Sequence, residues 1–68
     1  MSDNVYKTTE IVGSAKDGVE DAVRRGIEKA SASIRHMRWF EVTEIRGHLE
    51  NEKIEHWQIT MKVGFKVE

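Results

Sequence analysis

Residues 54–67 read Ile54-Glu-His-Trp-Gln-Ile-Thr-Met-Lys-Val-Gly-Phe-Lys-Val67, and their period is two. Trp57, Ile59, Met61, Val63, Phe65 and Val67 fall on one face. His56, Gln58, Thr60, Lys62, Gly64 and Lys66 fall on the other. Successive side chains of a strand point to opposite faces, so this is a β-strand with one apolar face and one mixed face. The apolar row needs a cover, and the cover lies upstream. Val19, Ala22, Val23, Gly26, Ile27, Ala30, Ile34 and Met37 recur at helical spacing. They make one stripe of an amphipathic helix from about Lys16 to Met37.

The ends of that helix carry the expected signals. Ser14 and Asp17 are candidate N-caps. Asp17, Glu20 and Asp21 lie in its first turns and Arg35, His36 and Arg38 in its last, which complements the helix dipole. Gly26 sits on the apolar stripe, where it weakens a helix by about 1 kcal/mol against alanine. Its compensation is close approach of another backbone.

Between helix and last strand, residues 39–49 also read with period two. Phe40 and Val42 take the core side, and Trp39, Glu41, Thr43 and Ile45 the other. Glu50-Asn-Glu-Lys53 is a polar turn that makes the last two strands a long hairpin. Residues 5–12, rich in β-branched and aromatic side chains, read as a first strand ended by Gly13. The order is β-α-β-β, an α+β fold with a three-stranded antiparallel sheet and one helix. The last strand would extend about 45 Å and the helix only about 33 Å. Part of the strand must curl, or overhang and pair with another chain.

The chain has 68 residues and reads as a single domain, 1–68. Domains this short bury a small fraction of their surface and usually need a staple. With no cysteine, disulfides and thiolate metal sites are excluded. His36, His48 and His56 do not have the spacing of a compact zinc site. Oligomerisation is the staple left. A net charge of −1, from 11 basic and 12 acidic residues, gives no general attraction for nucleic acid. No run approaches the ~18 apolar residues of a membrane span, and no basic-then-apolar leader opens the chain. The expected compartment is the cytoplasm.

No catalytic constellation stands out, and an enzyme is not expected. Ser14, Ser31 and Ser33 lack a nucleophile elbow. Glu41 and Glu44 would alternate onto opposite faces. Gly13 and Gly18 are too isolated for a phosphate loop. Trp39 has two readings: it closes the core at the helix end, or it offers its indole to a flat ligand on the open side of the sheet. Gln58 also faces away from the core row, either solvated or presenting an amide to the edge of a pyrimidine-like ring. Arg46 and Lys66 are solvated charges or phosphate ligands. His48 and His56 flank the hairpin turn and read as surface residues, and Trp57 belongs to the core row.

Several blocks resemble one family in order and spacing: Val5-Tyr-Lys7, Glu10-Ile-Val-Gly-Ser14, Trp39-Phe-Glu-Val42, Ile45-Arg-Gly-His48, and Gln58 through Lys62-Val-Gly-Phe65. The chain resembles the dodecins, small flavin-binding proteins that form hollow dodecamers, from Val5 to Glu68. The resemblance implies a sheet wrapped around one helix and a homododecameric shell. It implies flavins bound in pairs between tryptophans of neighbouring subunits, with a role in storing flavin and quenching its photochemistry. Trp39 matches the stacking position, Gln58 the position that hydrogen-bonds the pyrimidine part, and Arg46 a position near the phosphate of FMN. Lys66 stands where many relatives carry arginine, and Trp57 where they carry tyrosine or phenylalanine. Ala15-Lys16 also departs from the common helix start. The ligand implied is FMN, with riboflavin or FAD as alternatives and coenzyme A as a candidate second ligand. The competing reading is a structural or partner-binding oligomer in which Trp39 is interface packing without a flavin.

Overall fold

The computed structural model describes residues 4–67. They form β1 (Tyr6–Ala15), α1 (Val19–Ala30), β2 (Met37–Glu50) and β3 (Lys53–Lys66). The sheet order is β1-β3-β2, and both pairings are antiparallel. The strand with the cleanest alternation is therefore the central one. β2 and β3 are joined through Asn51 and Glu52, whose φ angles are 52° and 64°. Two positive φ values in a two-residue loop make the tight hairpin turn whose twist suits the flanking strands.

The alternation of β3 sets the core. Ile59, Met61 and Val63 are fully buried beneath α1, together with Ala22, and Ala15 is nearly so. Ile11, Val19, Val23, Ile27 and Met37 pack around them. Burying each large apolar side chain contributes roughly 1.5–3 kcal/mol. Gly13 and Gly26 bring helix and sheet together: a Cβ on Gly26 would sit 3.4 Å from the Gly13 Cα. This is the close backbone approach expected of Gly26.

Several boundaries differ from the sequence reading. β1 does not stop at Gly13 but runs to Ala15, because Gly13 is where α1 rests on it. Neither Ser14 nor Asp17 caps the helix. Ser14 lies in β1, and Gly18 is the N-cap, with no side-chain hydrogen bond. The helix ends at Ala30 instead of Met37. There the Ser31 hydroxyl donates to the Glu28 carbonyl at 2.6 Å, and Ala32 and Ser33 donate to carbonyls three residues back. Serine side chains compete with the helical ladder in this way. Arg35, His36 and Arg38 accordingly lie beyond the helix, and Met37 reaches the core from β2.

The short helix leaves much of the sheet bare. Twelve residues span about 18 Å, whereas the molecule is 56 Å long. Helix α1 packs on β1 and β3 and scarcely touches β2. Phe40 and Val42, assigned to the core side, do lie opposite the buried Val63 and Met61. They remain 50% and 36% exposed because no helix reaches them.

Two irregularities in β2 reset its faces. The pairing skips Arg38, so Trp39 faces Gly64, and skips Thr43, so Glu44 faces Thr60. Each extra residue shifts alternation by one. Ile45 therefore lies opposite Ile59 on the helix side, not beside Trp39. Glu41 and Glu44, expected on opposite faces, share the open one, opposite Lys62 and Thr60.

Candidate functional site

The open face of the sheet is built from the side chains of β3 that alternate with the buried row. Residues directly opposite across a ladder share a face, so the register defines its rows. Tyr6 stands beside Lys66, Thr8 beside Gly64 and Trp39, and Glu10 beside Lys62 and Glu41. Further along, Val12 stands beside Thr60 and Glu44, and Ser14 beside Gln58 and Arg46.

Trp39 dominates one end. Its indole lies across Gly64, where any side chain would overlap the ring. Gly64 itself is buried, while Trp39 remains 43% exposed. A ring that covers backbone on one side and meets solvent on the other is a platform for a second flat group. Lys66 is two residues further along β3 and half-buried, with its backbone N–H bonded to the His36 carbonyl at 3.0 Å.

Gln58 and Arg46 occupy the other end, as direct cross-strand neighbours. Arg46 is not loose there. Its guanidinium donates to the Glu44 carboxylate at 3.0 Å, and the other Glu44 oxygen accepts from the Thr60 hydroxyl at 3.4 Å. Gln58 and Gly64 are six positions apart on β3, about 20 Å of strand. One chain thus holds two stations: an indole with a lysine, and an amide with a guanidinium.

All four expected residues share the open face, but the chain alone does not gather them around one point. Glu44 and Thr60 escaped the sequence reading because strict alternation put Glu44 with the core. The signal was present in the apolar spacing: Phe40 and Val42 are two apart, but Ile45 follows after three, as a bulge requires. Beyond Gln58, His48 and His56 stack with ring centroids 5.1 Å apart. Glu55, 2.7 Å from His56 Nδ1, has its carboxyl held below the ordinary value by that hydrogen bond first and by nearby Lys16 as well.

The residues suit a planar, polar-edged ligand. An aromatic platform, an amide and two cations are available. Among the described residues no group of three or more His, Cys, Asp or Glu stands placed to hold a metal ion.

Comparison with known proteins agrees in fold and extent. The family model described as Dodecin matches residues 5–68. The Dodecin of Thermus thermophilus is 39% identical over 64 residues, covering 94% of this chain and 93% of its own. The dodecin structure from Streptomyces davaonensis is 48% identical, covers 98% of both chains and superposes with a TM-score of 0.94. A Mycobacterium tuberculosis structure is 28% identical, covers 94% of this chain and 91% of its own, and has a TM-score of 0.80. That protein is described as a calcium-chelating calcium dodecin with a novel calcium-binding site.

Proposed function

The chain belongs to the dodecin family, and on that premise we propose that it sequesters flavin, FMN or riboflavin, against Trp39 at the interfaces of a homododecamer. The exposed indole seated on Gly64 carries the reading. Gln58 contributes an amide for the pyrimidine edge of the ring system, and Arg46 and Lys66 contribute cations for a phosphate. The ~20 Å between the Trp39 and Gln58 stations supports a site completed by a neighbouring copy. So does the bare apolar side of β2, where Phe40, Val42 and Ile45 need a cover.

The role is storage and photoprotection, not turnover. An excited flavin is an oxidant, and an indole in contact can give it an electron and quench it. The chain has only to bind, orient the ring and exclude other reactants. The cytoplasm is the compartment this role suits.

Titrating the protein into FMN while following flavin emission tests the reading. Quenching that saturates at micromolar protein is expected, and emission unaltered at that concentration would refute it. Trp39→Ala should weaken binding by about 1 kcal/mol or more, since stacking contributes roughly 0.5–1.5 kcal/mol beyond buried area. Light scattering should report an assembly near twelve chains, and a monomer would contradict the shell. A colourless assembly indifferent to flavin would favour the purely structural oligomer.

A further inference from the structure

We propose that His48 and His56 form a two-nitrogen binding site for a divalent transition metal that favours imidazole, of the Cu2+ and Ni2+ type. The two residues are direct cross-strand partners on β2 and β3 near the hairpin end. Their rings face each other with centroids 5.1 Å apart and planes inclined by 16°. Metal–imidazole bonds of about 2.0–2.1 Å put two ligating nitrogens roughly 3 Å apart. To ligate, the rings turn out of this stack about their side-chain torsions until one nitrogen of each converges on the metal.

A second observation points the same way. Glu55 lies 2.7 Å from His56 Nδ1. Metal-binding histidines characteristically donate their other ring N–H to a carboxylate, which fixes the tautomer and raises the basicity of the ligating nitrogen. Here that arrangement leaves His56 Nε2 as the ligand. His48 is exposed and His56 is about one-third exposed, so the metal has a path in. The charges around the pair are Lys16 and Glu55, 3.6 Å apart, and Asp17 and Arg25, which line the same hollow as His56. Arg46, two residues before His48, is paired with Glu44. Positive and negative charges there offset each other. An incoming cation therefore meets no net repulsion.

The site differs in chemistry from a calcium site. Calcium takes six to eight oxygen ligands, whereas this pair offers two nitrogens. No third His, Cys, Asp or Glu completes a cluster among the described residues, so water fills the remaining positions and the metal exchanges readily. Copper binds such a pair tightest among the first-row divalent ions. Protons compete with it, because both imidazoles must be neutral to ligate.

The test uses the assembled protein without added flavin, so it stands apart from the flavin reading. With one equivalent of Cu2+ per chain, electron paramagnetic resonance should show two equatorial imidazole nitrogens. His48→Gln and His56→Gln should each reduce this to one or none, while His36→Gln should leave it at two. Glu55→Gln should keep two nitrogens and weaken affinity about tenfold, as loss of an orienting partner does. Excess Ca2+ should not displace the metal. Should a variant fail to assemble, the wild-type spectrum still decides. Coordination by a single imidazole, a two-nitrogen spectrum that survives His56→Gln, displacement by Ca2+, or no binding would each overturn the proposal.

Discussion

Trp39 and Gly64 stand opposite each other on β2 and β3, and the indole lies across the glycine. A Cβ at position 64 would run into the ring at Cδ2, Cε2 and Cζ2. The relationship depends on the skipped residue Arg38, which turns Trp39 to the open face while Met37 still reaches the core. An aromatic side chain covering a glycine on the neighbouring strand pins register and shields backbone. Here it also presents the free face of the indole outward.

Gly64→Ala should therefore dislodge the platform. The added methyl meets a large ring seated on backbone, and such overpacking costs typically 1–3 kcal/mol. Denaturant melts should register that loss, and FMN quenching should weaken in the same variant. Unchanged stability together with unchanged quenching would mean that the indole does not rest on Gly64 in solution.

Gly13 and Gly26 should respond unequally to the same substitution. At Gly13 a Cβ would overlap the Ala22 carbonyl oxygen, and backbone on both sides can yield only by lifting α1. At Gly26 the Cβ would meet the Met61 Cε at 3.0 Å, the far end of a flexible side chain. Alanine there also gains about 1 kcal/mol of helix propensity. Gly13→Ala should cost roughly 2 kcal/mol, and Gly26→Ala should lie near neutrality. Denaturant midpoints of the two variants check the order, and the reverse order would show that helix and sheet do not meet through Gly13.

Much of this was legible because β3 keeps its period from His56 to Lys66; only at Glu55, near the hairpin, does the pairing skip a residue of that strand. Ile59, Met61 and Val63 had to face a cover, and Gln58 and Gly64 had to face away from it. The helix was overextended because Ile34 and Met37 continue its spacing. Their apolar demand is met instead by the turn after Ala30 and by the start of β2. Arg46 reached the open face only through the bulge at Thr43, whose trace in the spacing of Phe40, Val42 and Ile45 is short. The cover for β2 could not be read at all, since one chain does not supply it.

Glu44 should tune which flavin binds. It holds Arg46 at 3.0 Å and is itself held by Thr60. A phosphate approaching Arg46 must displace or tolerate that carboxylate. A unit charge at about 4 Å is worth about 1 kcal/mol in water, so Glu44→Gln should favour FMN several-fold. Riboflavin has no phosphate and serves as the control. The ratio of the two dissociation constants should shift in the variant and shift less at high salt. A constant ratio would mean that Arg46 does not meet the phosphate.

Glu55 should leave a mark on acid stability. Its hydrogen bond with His56, and then Lys16, hold its carboxyl below the ordinary 4.5. The folded group therefore releases its proton at lower pH than the unfolded one. At acidic pH the unfolded chain binds more protons, so stability falls with falling pH. The contribution of this pairing is complete above pH 4.5 and is lost as pH drops through the lower folded value. Glu55 is a surface group, so the effect is small and is best read as a difference between variants. Melting temperature plotted against pH should fall less steeply below pH ~4.5 in Glu55→Gln than in the wild type. Parallel curves through that range would remove Glu55 from the acid response.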